Sequence, residues 1–258
     1  MSTTGTVLTR QEADVLIVTI NRPTRRNAVD REAAAALYEA FKAFDADDSL
    51  SVAILTGAEG NFCAGADLQA VAAGKGNPVR PDGDMGPMGP TRLELSKPVI
   101  AAVEGYAVAG GLELALWCDL RVASDSARFG VFCRRFGVPL IDGGTIRLPR
   151  LIGASRAMDL VLTGREVGTD EALAIGLSNY AAPAGTALDR AIQLANDIAA
   201  FPQTCLRADR QSAMRQWSLE MDAALKAEVE GGLNVLKSGE TLKGATAFTK
   251  GKGRHGSF

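Results

Sequence analysis

Apolar residues along this chain gather in short blocks that alternate with helically spaced repeats. Residues 15–20 are an uninterrupted, β-branched run and predict a buried strand, closed by the turn-forming Asn21-Arg22-Pro23. Over 30–45, alanines, Leu37, Phe41 and Phe44 recur at helical spacing. Residues 52–55 predict a second strand ending at Gly57, then a glycine-bearing loop over 60–67 and a helix from Asp67. A third strand over 99–103 runs through small residues into an apolar helix opening at Gly110. A fourth, short strand covers 120–123, and 129–132 reads as a strand or turn. Helices are predicted over 142–151, 155–162, 189–200, 211–219 and 221–236, with no strand pattern after about residue 182. Residues 74–90 hold five glycines and four prolines, too many for a regular element. They read as a surface loop, either a mobile lid or a plain insertion.

Strands separated by helices imply parallel pairing in an α/β core, here over 1–195, followed by a helical region over 196–258. Two turns repeat one pattern: Phe62-Cys-Ala-Gly-Ala-Asp-Leu68 and Val108-Ala-Gly-Gly-Leu-Glu-Leu114. Each follows a buried strand, carries a small residue where backbone must come close, and enters a helix with an acid in its first turn. Gly110 and Gly111 have no Cβ and admit close approach. The first N–H groups of a helix have no partner inside it, so they suit an oxygen that carries or develops negative charge. Side by side, two such turns aim two N–H groups at one oxygen, with Glu113 one turn further on.

Composition narrows the chemistry. The chain has 258 residues, 47% of them hydrophobic, enough for a substantial core, and its net charge of −2 argues against a dedicated nucleic-acid binder. No signal or transit pattern opens the chain, and no run of about 18 apolar residues predicts a membrane span. Cys63, Cys118, Cys133 and Cys205 lack metal-type spacing and read as free thiols in a cytoplasmic protein. The one histidine, His255, lies at the C-terminus, which argues against a Ser-His-Asp triad, a Cys-His pair or a histidine metal site. No phosphate-loop motif is present, and Gly105…Gly110-Gly111 lacks the acid of a dinucleotide site.

Several stretches, in order, carry a resemblance: Asn21-Arg-Pro…Asn27-Ala, Phe62-Cys-Ala-Gly-Ala-Asp-Leu, Lys97-Pro-Val-Ile-Ala-Ala-Val-Glu-Gly-Tyr-Ala-Val-Ala-Gly-Gly-Leu-Glu-Leu, Cys118-Asp, Phe129-Gly and Gly143-Gly-Thr…Arg147-Leu-Pro-Arg-Leu-Ile-Gly. The chain resembles the crotonase (enoyl-CoA hydratase/isomerase) superfamily over most of 15–180. The resemblance implies an α/β fold, the crotonase (ClpP-like) right-handed spiral of ββα units, with C-terminal helices that build a homotrimer, often stacked to a hexamer. It implies an acyl-CoA substrate, coenzyme A being part of that substrate; together with the composition, no separate cofactor, metal, nucleic acid or membrane is expected. It places the thioester oxygen on the amides of Ala66 and Gly110. Coenzyme A then lies along Arg25, Arg26, Ala64, Asp67 and Leu68, and the tail 244–248, ending at Phe248, resembles the helix that contacts it. For the two arginines a solvated turn is the alternative.

Hydratases of this family use two glutamates. The first aligns with Glu113, whose plainer reading is a helix-capping acid. The second falls on Cys133, a departure: a thiol titrates at about 8.5, burial raises that further, and its S–H is a weak donor. Cys133 reads as pocket lining. Asp142, just before Gly143-Gly144-Thr145, is either a helix N-cap or a replacement acid, since dienoyl-CoA isomerases of the family carry an aspartate there. Glu113 with Asp142 suits double-bond migration as well as hydration. The expected activity is enoyl-CoA hydratase-like. The alternatives are an enoyl- or dienoyl-CoA isomerase using Glu113 and Asp142, and an acyl-CoA-binding protein without hydratase activity. Dehalogenating relatives need a histidine in the site, and the acidic balance argues against the RNA binding of others. Arg134, Arg135, Arg147 and Arg150 form a basic cluster, read as surface ion pairs or subunit contacts, or as a seat for an anionic substrate tail.

Overall fold

The computed structural model describes residues 5–253, so His255 lies outside the described residues. The chain divides after Ile198 into two compact units.

The first unit holds β1 (Val7–Glu12), β2 (Val15–Ile20), β3 (Val52–Gly57), β4 (Val99–Val103), β5 (Tyr106–Val108), β6 (Leu120–Ser124), β7 (Arg128–Gly130), β8 (Val167–Gly168) and β9 (Tyr180–Ala182). The main sheet has the order β1-β2-β3-β4-β6-β9. From β2 to β9 it is parallel, as the alternation of strands and helices predicts, with Ile54 opposite Ile100 and Val122 opposite Tyr180. The sequence reading missed β1, which pairs antiparallel with β2. As an edge strand it faces water with Thr9, Arg10 and Gln11, so it lacks the apolar run that betrays the buried strands.

A second, smaller layer contains β5-β7-β8. Isolated parallel bridges, Val29 with Ala66 and Cys63 with Ala107, extend the same kind of pairing to the segments that follow β2 and β3. Each central strand therefore passes into a second extended segment before a helix: α1 (Arg31–Ala46), α2 (Leu68–Ala72) and α3 (Gly110–Trp117). This is the ββα unit, three times over. Helix α1 is capped by Asp30, whose carboxylate accepts from Ala33 N at 3.0 Å, and it buries Ala33, Ala34, Leu37, Phe41 and Phe44. Every residue of α3 is buried, and Trp117 meets Phe41 edge to face at 4.8 Å. Helices α4 (Gly144–Ile152), α5 (Ala154–Thr163), α6 (Thr169–Ala174) and α7 (Ala187–Ala199) follow.

The glycine- and proline-rich loop forms no helix or strand over 74–89, and only its first part is a surface loop. Its second half, 86–91, is buried throughout. Gly86 and Gly89 exchange two amide bonds of 2.9 Å, Asn77 Nδ2 donates to Pro87 O at 2.8 Å, and a 3-10 turn over Pro90–Arg92 leads on. We call 86–91 the strap.

The second unit is helical: α8 (Gln203–Arg215), α9 (Met221–Ser238) and α10 (Glu240–Thr249), with α8 and α10 both packed on α9. Glu240 accepts from Thr204 N (3.0 Å) and Cys205 N (2.9 Å), tying α10 to the start of α8. The predicted helix over 211–219 starts eight residues too late, because α8 buries no residue and shows no apolar stripe at its start. Among the described residues no helix is long and apolar enough to cross a membrane.

Candidate functional site

The two sequence-matched turns lie against each other. Cys63 N donates to Tyr106 O (2.8 Å) and Val108 N to Cys63 O (3.1 Å). A methyl built on Gly111 would stand 2.0 Å from Cys63 O, and one on Gly65 would stand 3.0 Å from Gly110 N. Only bare backbone permits this approach. Ala109 precedes α3 with φ +54 and ψ −125, a strained conformation for alanine that sets the plane of the peptide carrying Gly110 N. Among the described residues, neither Ala66 N nor Gly110 N donates a hydrogen bond.

Glu113 is 2% exposed. Its Oε1 accepts from Asp142 N (2.9 Å) and Gly144 N (2.8 Å), and its Oε2 has no partner among the described residues. It does not cap its own helix; it is gripped by a turn some thirty positions downstream. Burial pushes its pKa up to about 7, with the Asp142 charge adding to the rise and the two amides and Arg147 opposing it.

Asp142 is buried and is not an N-cap either: Gly143 occupies that position. Its Oδ1 accepts from Met88 N at 2.9 Å and from the Thr91 hydroxyl, so the carboxylate is fixed to the strap. Burial raises its pKa; the bonds from Thr91 and Met88, with Arg92 and Arg147, pull the other way. Cys133 sits buried on a 3-10 turn over Phe132–Phe136, its thiol raised by burial and by the charge of Glu113. It is a neutral neighbour of the glutamate rather than an acid.

Around the first turn, Asp67 caps α2 through Gln69 N (3.0 Å) and Ala70 N (3.1 Å) on Oδ1 and pairs with Arg22 (2.9 Å) on Oδ2. Both of its oxygens are engaged, so its part is to fix the turn. Arg22, which the sequence reading passed over, also pairs with Asp30 (2.7 Å) and bonds Ala28 O. Arg25 and Arg26 are exposed; Arg25 bonds Gln69, and Arg26 stands over the Tyr106 ring at 5.2 Å. Ala64 N donates to Arg26 O (3.0 Å), and Leu68 is exposed. Phe248 is an exposed residue of α10 in the second unit.

The sequence reading also missed Met88, Thr91 and Arg147. Arg147, one of the four arginines of the basic cluster, donates to Asp142 O (2.9 Å) and Thr91 O (2.7 Å). Met85 and Met88, apolar residues amid glycine and proline, were the hint that the loop turns inward. Nothing in the sequence separates Arg147 from Arg150.

A family model described as enoyl-CoA hydratase/isomerase matches residues 10–255. The chain belongs to that family. This family member is 36% identical over 253 residues to the enoyl-CoA hydratase EchA19 of Mycobacterium tuberculosis, covering 94% of this chain and 93% of the relative. It is 36% identical over 245 residues to a carnitinyl-CoA dehydratase of Proteus mirabilis, covering 92% of each. The crystal structure of enoyl-CoA hydratase EchA1 from Mycobacterium marinum matches with a TM-score of 0.89 at 40% identity, over 95% of this chain and 96% of that one. The fold is the crotonase spiral implied by the sequence, and the chain is an enzyme of the hydratase/isomerase family.

Proposed function

We propose that this enzyme adds water reversibly across the C2–C3 double bond of an enoyl-CoA thioester. What carries the reading is the placement of two unused amides, Ala66 N and Gly110 N, on adjoining turns, with a buried carboxylate, Glu113, held by one oxygen and open at the other. In this reading the thioester oxygen sits between the amides. A water gives a proton to Glu113 as its oxygen bonds to C3. The electrons of the C2–C3 π bond move onto the thioester oxygen as an enolate, and as the enolate collapses C2 takes the proton back from Glu113, which completes the addition and restores the carboxylate. One oxyanion donor of this kind contributes about 3 kcal/mol in a dry site. Coenzyme A enters as part of the substrate along Arg25, Arg26, Ala64 and Leu68, with Phe248 as a further contact; no other cofactor is needed for these steps.

The second reading is double-bond isomerisation, favoured by one observation: Asp142, whose amide grips Glu113, supplies a second buried carboxylate in this turn, while Cys133 stands where the resemblance puts the second glutamate of hydratases. The wild-type enzyme on crotonyl-CoA separates these readings. Loss of the conjugated enoyl-thioester absorbance is the expected result. Turnover confined to a 3-enoyl- or dienoyl-CoA, and abolished by Asp142→Asn, points to the isomerase. Acyl-CoA binding without either reaction overturns both and leaves a binding protein. Cys133→Ser is expected to stay within about tenfold of wild type, under about 1.4 kcal/mol of barrier.

On α9, Met221, Leu225, Val229, Leu233 and Leu236 recur every three or four residues, and each is at least 46% exposed. We propose that copies of this chain cover that stripe in a homotrimer or a hexamer. Light scattering of the purified protein should give three or six chain masses; a single chain mass at micromolar concentration rejects the assembly.

A further inference from the structure

We propose that Arg147 is a positioning residue for the reaction, the bolt that holds the Glu113 turn and the Asp142 strap in one fixed arrangement. The inference rests on the hydration reading above for its kinetic readout.

The bonding pattern has three levels. Glu113 Oε1 is held by the amides of Asp142 and Gly144, so its aim depends on the 142–144 turn. Asp142 Oδ1 is held by Met88 N and the Thr91 hydroxyl, so its aim depends on the strap. The turn and the strap are separate segments, some fifty positions apart in the chain. Arg147 joins them from behind: Nη1 donates to Asp142 O at 2.9 Å and Nη2 to Thr91 O at 2.7 Å. The planar guanidinium fork spans two carbonyls at once, which a lysine ammonium on a single flexible stem does not reproduce. Gly143 makes room for it. That residue has φ +94, and a Cβ there would stand 2.3 Å from Arg147 Nη1.

The fork is spent on carbonyls, so the guanidinium forms no direct ion pair with either acid. Its positive charge acts on both through space. Facing Glu113 are the charges of Asp142 and Arg147 and the thiol of Cys133. Facing Asp142 are Glu113, Arg92 and Arg147. Arg147 in turn senses Glu113, Asp142, Cys118 and Arg150. Removing the guanidinium therefore removes a geometric constraint and a field that favours ionised Glu113. Restoring the charge without the fork restores only the field.

The test compares Arg147→Met and Arg147→Lys with wild type on crotonyl-CoA over pH 5.5–9, a window set to bracket a titration near about 7. Arg147→Met is expected to lose about 100-fold in kcat with KM changed less than about threefold, and the acid limb of its kcat profile should move to higher pH. Arg147→Lys should lose a comparable share of kcat while its acid limb stays at the wild-type pH. A Met variant with wild-type kcat, or with an acid limb that stays put, overturns the proposal. So does a Lys variant that recovers full kcat, because charge alone would then suffice. If Arg147→Met does not fold, the Lys variant alone decides: a kcat loss at an unshifted limb and an unchanged melting temperature supports the bolt, and no loss rejects it. If the wild type itself does not hydrate crotonyl-CoA, the hydration reading fails separately. Infrared titration of the Glu113 carboxyl, taken as the difference from Glu113→Gln, then supplies the readout: a midpoint in Arg147→Met equal to wild type rejects the proposal, and a higher one supports it.

Discussion

Glu113→Gln is expected to lower kcat/KM on crotonyl-CoA by about 1,000-fold and, at the same time, to make the protein more stable at alkaline pH. Both effects come from the same burial. The carboxyl titrates at about 7 in the fold against an ordinary value near 4.5. A carboxyl raised in this way favours the folded state while it is protonated in both states, below pH 4.5 or so. That advantage is lost as pH rises through about 7, where the buried group must ionise. At pH 8 the wild type therefore carries a penalty of about 3 kcal/mol that glutamine escapes. The amide oxygen of glutamine still accepts from Asp142 N and Gly144 N, so the grip on the side chain survives. Thermal or urea unfolding should show the variant ahead of wild type at pH 8 and level with it near pH 4. Wild-type turnover should fall below about pH 7 as the base protonates. An unchanged unfolding difference across that range means the carboxyl is not perturbed, and full turnover by the variant removes Glu113 from the chemistry.

Gly111→Ala should strike the fold and the site together. The added methyl would lie 2.0 Å from Cys63 O and 2.9 Å from Cys63 Cβ, neither of them the loose end of a flexible side chain. The two turns must part. The cost is about 3 kcal/mol of stability. Turnover of the remaining folded protein should drop about 100-fold, since the proposed reaction needs Ala66 N and Gly110 N aimed at one oxygen. Gly232→Ala is the comparison: this exposed position in α9 has nothing within 4 Å of the new methyl, and alanine there should be neutral or stabilising by up to about 1 kcal/mol. Equal behaviour of the two variants in unfolding and in turnover would show that the close approach of the turns is not needed.

The buried strands and α3 were legible because burial on both faces writes an uninterrupted apolar run, and β2, β3, β4 and β6 fall where such runs occur. The paired turns were legible as a repeated word, and the family comparisons agree with the fold that the resemblance implies. What stayed hidden was of another kind. β1 is half exposed and carries no run. The composition of 74–90 announces irregular backbone correctly but is silent on whether that backbone lies outside or inside; Met88, at 1% exposure, shows that half of it lies inside. Asp142 invited an N-cap reading because a short acid before a helix commonly caps it. Gly143 takes the cap position, and that one-residue offset frees the carboxylate for the strap. Glu113 and Arg147 work through partners distant in the chain, and local spacing carries no record of them.

The strap also decides where this protein has freedom to vary. Its burial begins at Gly86 and its hold on Asp142 at Met88, while residues 80–84 just ahead of it are exposed. There the chain is tied by peripheral bonds such as Tyr38 to Asp84 at 2.6 Å and Arg92 to Asp82 O at 3.4 Å. Residues can be gained or lost in that bend without passing strain to the two buried carboxylates, because lengthening a surface loop costs little. A few positions further on, the same insertion would pull on Met88 N and unseat an acid. Tolerance and intolerance to length change thus meet within a single loop.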